Sequence, residues 1–437
     1  MNNGPEPFNV AVVGGGIVGL HVALGLLKRN IPTTVFERTA QFREIGAGLG
    51  FPKVAVECMR ALDPRIADAF NKIAVSSTGS LRWADGYTQE DIRLRSQPHD
   101  YEVTAGGPDS FPGCHRAQLL DGLVALAPPE TLKLNKELDN IEDRGPDEKL
   151  LLRFRDGTTA EADVAMSRAD RVVIGCDGIK SRVRRVVVGD ASAAHPHYSH
   201  QVSYRALLDL GQAVAAVGDI VRGQLMYMGP GAHINTYPVA GHTLVNVVAF
   251  VHTPDERGGV VGGGVSVAKG DIFKTFTGWG PVVRALVALL PDRVDSWAIY
   301  DTYDYPLSTY AHGRITLAGD AAHGTSPHHG AGASMGVEDA LCLVTALAEV
   351  AGSLRDTSPA SKHKAITAAI KAYDAVRRER TQWLVRSSRA VVDMFQQSGA
   401  EGGRDNFQTE ISERSHRIWD FDWQGMVQQT VDAVHKE

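Results

Sequence analysis

The stretch richest in chemistry is Gly319 to Ala340, GDAAHGTSPHHGAGASMGVEDA. Ahead of it runs Ile315-Thr316-Leu317-Ala318, which reads as a buried strand. Beyond it Ala340, Val344, Leu347 and Ala351 recur at helical spacing. Gly324, Gly330, Gly332 and Gly336 let the backbone approach a flat or anionic ligand with no Cβ in the way. The helix start that follows offers unpaired N–H groups and the positive end of a dipole to an electron-rich group. Asp320, at the strand end, is placed to accept hydrogen bonds from sugar-like hydroxyls. A cofactor ring that becomes anionic on reduction suits such a place. His323, His328 and His329 are spaced by five and one in a loop with no cysteine nearby. That is not the spacing of metal ligands, and no metal is expected.

A second constellation opens the chain. Phe8 to Val13 is a β-rich apolar run, Gly14-Gly15-Gly16-Ile17-Val18-Gly19 follows at once, and a helical pattern carries Leu20, Ala23, Leu24 and Leu27. A second strand, Thr33 to Phe36, ends in Glu37, 18 residues past Gly19. Strand, GxGxxG, helix, strand and terminal acid together make a dinucleotide fingerprint. Gly14 serves the tight turn, Gly16 the close approach of a pyrophosphate, Gly19 the packing of helix on strand, and Glu37 the ribose hydroxyls. The fingerprint does not separate FAD from NAD. Gly46, Gly48 and Gly50 mark a second piece of backbone that can lie against a cofactor. Arg116 opens a helix, where it either holds a cofactor oxygen or is a solvated first-turn arginine. A third constellation is the strand Arg171 to Gly175 ending in Cys176-Asp177-Gly178, followed by Ser181, Arg182, Arg184 and Arg185. An aspartate at a strand's carboxyl end, before a helix, lies where open α/β sheets bind ligands.

The elements between these motifs are β-rich. Strand patterns begin at Leu81 and return over Val202–Leu208, Gln224–Met228, His233–Tyr237 and Leu244–Phe250, a sheet expected to roof a substrate. Arg205 stands inside the apolar run Tyr204-Arg205-Ala206-Leu207-Leu208, so it either reaches solvent or faces an anion in a pocket. Gly258 to Gly264 reads as a loop, and beyond Ala340 helices dominate. The chain has 437 residues, 43% hydrophobic and 22% charged, with net charge −6, which gives no support for a nucleic-acid partner. Arg377, Arg378, Arg380, Arg386 and Arg389 read as the solvated face of a helix. Cys58, Cys114, Cys176 and Cys342 are scattered in apolar contexts, as buried free thiols are, which points to a reducing compartment, the cytoplasm. Val10 to Leu27 is uncharged over 18 residues, but its glycines and its change of period argue against a membrane span.

GxGxxG…E, then CDGxxSRVR, then GDAAHxxxPxxGxG, in that order, resemble the FAD-dependent aromatic hydroxylases, the class A flavoprotein monooxygenases. The likeness is strongest to salicylate-hydroxylase-like members, especially fungal ones acting on polyketide phenols, and covers about residues 8–395. It implies an α/β fold, with a Rossmann-type FAD-binding domain, an inserted β-sheet substrate domain and a helical C-terminal region. The expected boundaries are 1–80, 113–198 and 309–355 for the FAD domain, 81–112 and 199–308 for the substrate sheet, and 356–437 for the helical region. By the same resemblance Gly14, Gly16, Gly19 and Glu37 hold the ADP half of FAD, with Gly50 and Arg116 also at FAD. Asp177 and Gly178 serve FAD and the passing NADPH or NADH, Asp320 binds the ribityl chain, and Gly332-Ala333 lie against the flavin's pyrimidine edge. An arginine–tyrosine pair gripping a substrate phenolate maps to Arg205 and Tyr237, with Tyr227 the rival tyrosine and Met226, Met228 and Phe250 candidate pocket walls. The role of His328 and His329 stays open. The activity implied is hydroxylation of a phenolic polyketide-type ring through a flavin C4a-hydroperoxide, with dearomatisation to a cyclohexadienone, or else a salicylate-type decarboxylative or simple ortho hydroxylation. A flavin halogenase is disfavoured because no WxWxIP segment occurs, a lipid-ring epoxidase because no membrane span does, and a non-catalytic nucleotide-binding regulator because all three motifs are present.

Overall fold

The computed structural model describes residues 8–42, 48–75, 81–89, 112–143, 145, 148, 150–160, 170–189, 192–239, 241–254, 264–352, 354, 357–397 and 407–436. Two sheets dominate it. The first has six strands in the order Ala311–His312, Ile315–Leu317, Asp170–Gly175, Phe8–Val13, Thr33–Phe36, Leu132–Lys133. All its neighbours run parallel except the edge pair Ala311–His312 and Ile315–Leu317. Its central strands are near-continuous apolar runs because helices cover both faces. On one side the helix Ile17–Lys28 packs between the sheet and the 20-residue helix Gly332–Ala351. That second helix begins earlier than its apolar spacing suggests, so Gly336 lies inside it and not in the ligand loop. A Cβ there would sit 2.3 Å from the Val18 side chain. Gly336 therefore serves the close approach of two helices.

The second sheet has seven strands, in the order Gly264–Ala268, Arg293–Asp301, His197–Asp209, Leu244–His252, Ala232–Val239, Leu225–Gly229, Arg82–Asp85. It is antiparallel except where Arg82–Asp85 runs parallel to Leu225–Gly229. Period-2 alternation splits its faces. Leu225, Tyr227, Ile234, Val245, Val247, Ala249 and Val251 enter a core with Phe276, Trp279, Val283 and Leu286. Met226 and Met228 point the other way and are buried with Trp83 against Val391, Met394, Phe395, Phe407 and Ile411 of the C-terminal helices. Both pack against those helices, which cover this end of the face. Leu81–Val103 is described only up to Gln89, and the loop Gly258–Gly264 falls outside the described residues except for Gly264.

The helix Pro359–Phe395 is 37 residues long, with Ser358 accepting a hydrogen bond from the Ser361 N–H and proline in its first turn. The reading of its arginines as a solvated face is overturned for Arg377, Arg380 and Arg389, whereas Arg386 is exposed. Arg377 is fully buried and pairs with Glu338 and Asp339, each at 2.9 Å. Arg380 pairs with Glu338 at 2.8 Å and donates to the carbonyl of Arg417 at 2.7 Å. Arg389 pairs with Asp301 at 2.5 Å. Asp339 also accepts from the Gly319 N–H at 3.0 Å and bonds the His323 ring at 2.5 Å. The four cysteines are free and buried. Among the described residues no helix is long and apolar enough to cross a membrane.

Burial alone would raise the Asp339 carboxyl, but His323 and Arg377 pull it down to about 2. Its contribution to stability is present above the ordinary carboxylate range and is lost as pH falls from about 4 towards about 2. Asp339→Asn is expected to cost about 3–5 kcal/mol at neutral pH, because it removes one of the two carboxylates that balance the buried Arg377. Urea unfolding of both proteins measures this cost, and the difference narrows as pH falls through that window.

Candidate active site

The three sequence motifs sit side by side at the carboxyl edge of the parallel sheet. Val13, Gly175 and Leu317, the last residues of three adjacent strands, are in register. Each strand leads into a turn and then a helix. At the first turn Gly14 has φ +103°, and a Cβ on it would lie 2.4 Å from the Cys176 carbonyl oxygen. A Cβ on Gly19 would lie 2.0 Å from the Gly14 carbonyl. Around Gly16 there is open space. Glu37 accepts from the Gly15 N–H at 2.8 Å and the Thr39 N–H at 2.9 Å, which holds its carboxylate beside the turn.

At the second turn Ser181 caps the helix Arg182–Val188, and Asp177 accepts from the Ser181 hydroxyl at 2.5 Å and the Arg182 N–H at 2.6 Å. Burial raises its carboxyl and these hydrogen bonds oppose the rise. Gly178, at φ +75°, borders open space. Arg184 is fully buried and donates to the carbonyls of Asp320, at 2.5 Å, and Ala321, at 2.7 Å. It ties the second turn to the third, a role hidden in the sequence within a run of basic residues.

At the third turn Asp320 opens the one-turn helix Asp320–His323, exposed on the turn's surface. Gly332 starts the long helix Gly332–Ala351, which no side chain caps. Its first turn holds no acidic residue, the Asp320 carboxylate lies 4.0 Å from where a Cβ on Gly332 would be, and Ala333 follows in the same turn. Open space at Gly16 and Gly178, the exposed Asp320 and this uncapped helix fit an extended dinucleotide with a flavin ring. The segment Arg43–Ala47 lies outside the described residues, and Gly50 pairs with Gly113 on the short ribbon that leads into Arg116.

Arg116, half-buried at the start of the helix Arg116–Leu126, links this edge to the second sheet. Burial lowers its guanidinium, and the nearby Asp320 opposes that. Arg116 in turn acts on Arg205, which burial lowers and which Tyr237 raises. Asp320, Arg116, Arg205 and Tyr237 thus form one electrostatic line between the sheets. Tyr204 and Ala206 join the core on the sheet's far side, so Arg205 faces the cofactor edge, and its Nε is shielded from water with no hydrogen-bond partner. Its cross-strand neighbour Asp295 is exposed. Burial raises the Tyr237 phenol, while Arg205 pulls it down. Tyr227 is on the opposite face, in the core, and cannot meet Arg205.

Sequence reasoning left His328 without a role. Its ring lies 4.7 Å from that of Phe250 and 5.3 Å from that of His233, so the cofactor loop closes directly on the substrate sheet. Burial pushes His233 down to about 3 and His328 well below the usual imidazole range, so both are neutral there. His329 instead bonds Ser387 at 2.8 Å.

Residues 285–388 match the FAD binding domain family. The chain is 46% identical to the FAD-dependent monooxygenase pigN of Monascus ruber, over 99% of this chain and 98% of that one. The chain belongs to the FAD-dependent monooxygenases. It is also 40% identical to a salicylate hydroxylase of Sarocladium schorii, over 98% of this chain and 91% of that one. A solved salicylate hydroxylase–substrate complex superimposes with a TM-score of 0.81 at 27% identity, covering 97% of this chain and 98% of the other. FAD is the cofactor of this monooxygenase, with NAD(P)H and dioxygen as co-substrates.

Two outcomes are expected. Asp320→Ala lowers the FAD content of the purified monooxygenase several-fold, read as flavin absorbance in the heat-denatured supernatant. Arg182→Ala slows anaerobic reduction of the bound flavin by NAD(P)H. A reduction rate unchanged at every coenzyme concentration assigns Arg182 to the surface.

Proposed function

We propose that this monooxygenase hydroxylates a phenolic, polyketide-type ring, and that it dearomatises the ring where the attacked carbon carries a substituent. The observation that carries this reading is Arg205, a cation embedded in the sheet face, with an unpartnered Nε and Tyr237 beside it. A guanidinium stays charged and favours an ionised phenol in a low-dielectric pocket. The ionised phenol is the electron-rich form that an electrophilic oxygen attacks at the ortho carbon. Tyr237 gives a second hydrogen bond and fixes which ortho carbon is presented. Val248 and Phe250, on the same face, supply apolar surface for the ring.

FAD, when bound, would supply the redox chemistry, with NAD(P)H as the hydride source, one atom of dioxygen entering the ring and the other leaving as water. A carbon that bears hydrogen loses it as a proton and the ring rearomatises. A carbon that bears a methyl group cannot, and the product is a hydroxylated cyclohexadienone. Decarboxylative, salicylate-type hydroxylation is the second reading, favoured by the likeness to the solved salicylate hydroxylase complex. Product mass from methyl-substituted dihydroxybenzaldehydes and from salicylate separates the two: addition of one oxygen, or its addition with loss of carbon dioxide.

Arg205→Gln is expected to raise the pH at which the bound phenol ionises. Loss of a charge-assisted hydrogen bond, about 1.5–3 kcal/mol, corresponds to a fall of roughly ten- to a hundredfold in turnover at neutral pH. A spectrophotometric titration of bound phenol together with the pH–rate profile tests this. An unmoved titration with full turnover removes Arg205 from the site.

A further inference from the structure

NAD(P)H must reach the flavin from solvent, and one surface beside the second turn has the make-up of a nucleotide cradle. Ile179 follows Asp177-Gly178, and its side chain lies 2.0 Å from where a Cβ on Gly324 would be. The Gly324 carbonyl accepts from the Thr302 N–H at 2.9 Å and from the Thr302 hydroxyl at 3.1 Å. The second turn is thereby joined to the segment after the strand Arg293–Asp301, where Tyr303 and Tyr305 are 42% and 45% exposed. Of the seven large hydrophobic side chains exposed among the described residues, these two alone lie within two positions of each other. Tyr305 leans on His197, with ring centroids 4.4 Å apart and planes tilted by 41°. Cations adjoin the tyrosines. The His197 Nε2 and the His195 backbone N–H both meet the Ser192 carbonyl, at 3.3 and 3.2 Å. The same turn brings the His195 Nδ1 to 3.5 Å from the Arg185 guanidinium, whose Nε is shielded from water with no hydrogen-bond partner. Arg182 sits three residues earlier in the same helix, so it emerges on the same face. The nearby acids Asp301 and Asp304 both pair with Arg389, at 2.5 and 3.8 Å, which offsets their charge.

We propose that this surface holds the adenosine half of NADPH, with the adenine on Tyr305, the pyrophosphate at Arg182 and the ribose 2′-phosphate at Arg185 and His195. A purine presents a π-face to an exposed aromatic ring, and such stacking does not need a buried pocket. A phosphate takes a guanidinium whose donors are unspent, as the Nε of Arg185 is. The nicotinamide half then runs over Ile179 to the open space at Gly178, beside the edge where the flavin binds. NADH brings no 2′-phosphate and leaves Arg185 without its anion, so the enzyme discriminates in favour of NADPH. The assignment is independent of which ring the monooxygenase oxidises.

The test uses purified holoenzyme and two unreactive probes, 2′,5′-ADP and ADP, with dissociation constants from titration calorimetry. The wild type is expected to bind 2′,5′-ADP roughly tenfold more tightly than ADP. Arg185→Gln should abolish that difference through loss of affinity for 2′,5′-ADP. Tyr305→Ala should weaken both probes about tenfold, and Tyr305→Phe should keep both near the wild-type values. Anaerobic reduction of the bound flavin should show the same shifts in the half-saturating concentration of NADPH. Flavin absorbance of each variant confirms that it is loaded with FAD. A wild type that binds the two probes equally, or binds neither, overturns the proposal. So does a Tyr305→Ala variant with unchanged affinity for both. Tyr305→Phe weakened as much as Tyr305→Ala also overturns it, because the ring face is then not what holds the base.

Discussion

One buried carboxylate organises the cofactor half of the molecule. Asp339 accepts from the backbone of Gly319, from His323 and from Arg377, and so joins the third turn, the helix Gly332–Ala351 and the helix Pro359–Phe395. A charge with no access to water must be matched on the spot, and removing one partner leaves the others uncompensated. Geometry at the turn is therefore over-determined. The backbone that bears Asp320 and the start of the helix Gly332–Ala351 cannot drift apart without breaking the cluster. Glu338, next in sequence, carries the same logic outward to Arg380 and the C-terminal helices.

The cofactor half was legible in the sequence because its signals are local. A glycine at a forced turn, an acid at a strand end and an apolar run before both are read within about 30 residues. The arginines of the long helix were not legible. Arg377, Arg380 and Arg389 have the spacing of a helix face, but spacing does not say whether that face meets water or carboxylates. Their partners Glu338, Asp339 and Asp301 lie 38 to 88 residues away in sequence. The helix was correctly identified and its environment was not.

The substrate sheet was half legible for a related reason. Alternation within a strand separates two faces but does not name them, and a slip of one residue exchanges them. Met226 and Met228 share one face of their strand, but the helices that cover that end of it lie far along the chain. Tyr227 and Tyr237 were rivals until register placed one in the core and the other on the side of Arg205. His328 could not be placed at all, since its neighbours Phe250 and His233 belong to strands that turn patterns alone do not bring to the cofactor loop.

The helix Pro359–Phe395 spans about 55 Å at 1.5 Å per residue. Near its middle Tyr373 donates to the carbonyl of Leu317 on the cofactor strand. Just past its end Gln396 exchanges a reciprocal pair of amide hydrogen bonds with Gln201 on the substrate sheet. One rigid rod therefore gauges the gap between the two sheets. The side chains that face the gap do not carry that load. Arg205, Asn235, Tyr237 and Asn246 take no part in those two ties. A frame of this kind separates the contacts that hold the two sheets together from the side chains on one sheet face, so that face is free to vary while the frame stays in place.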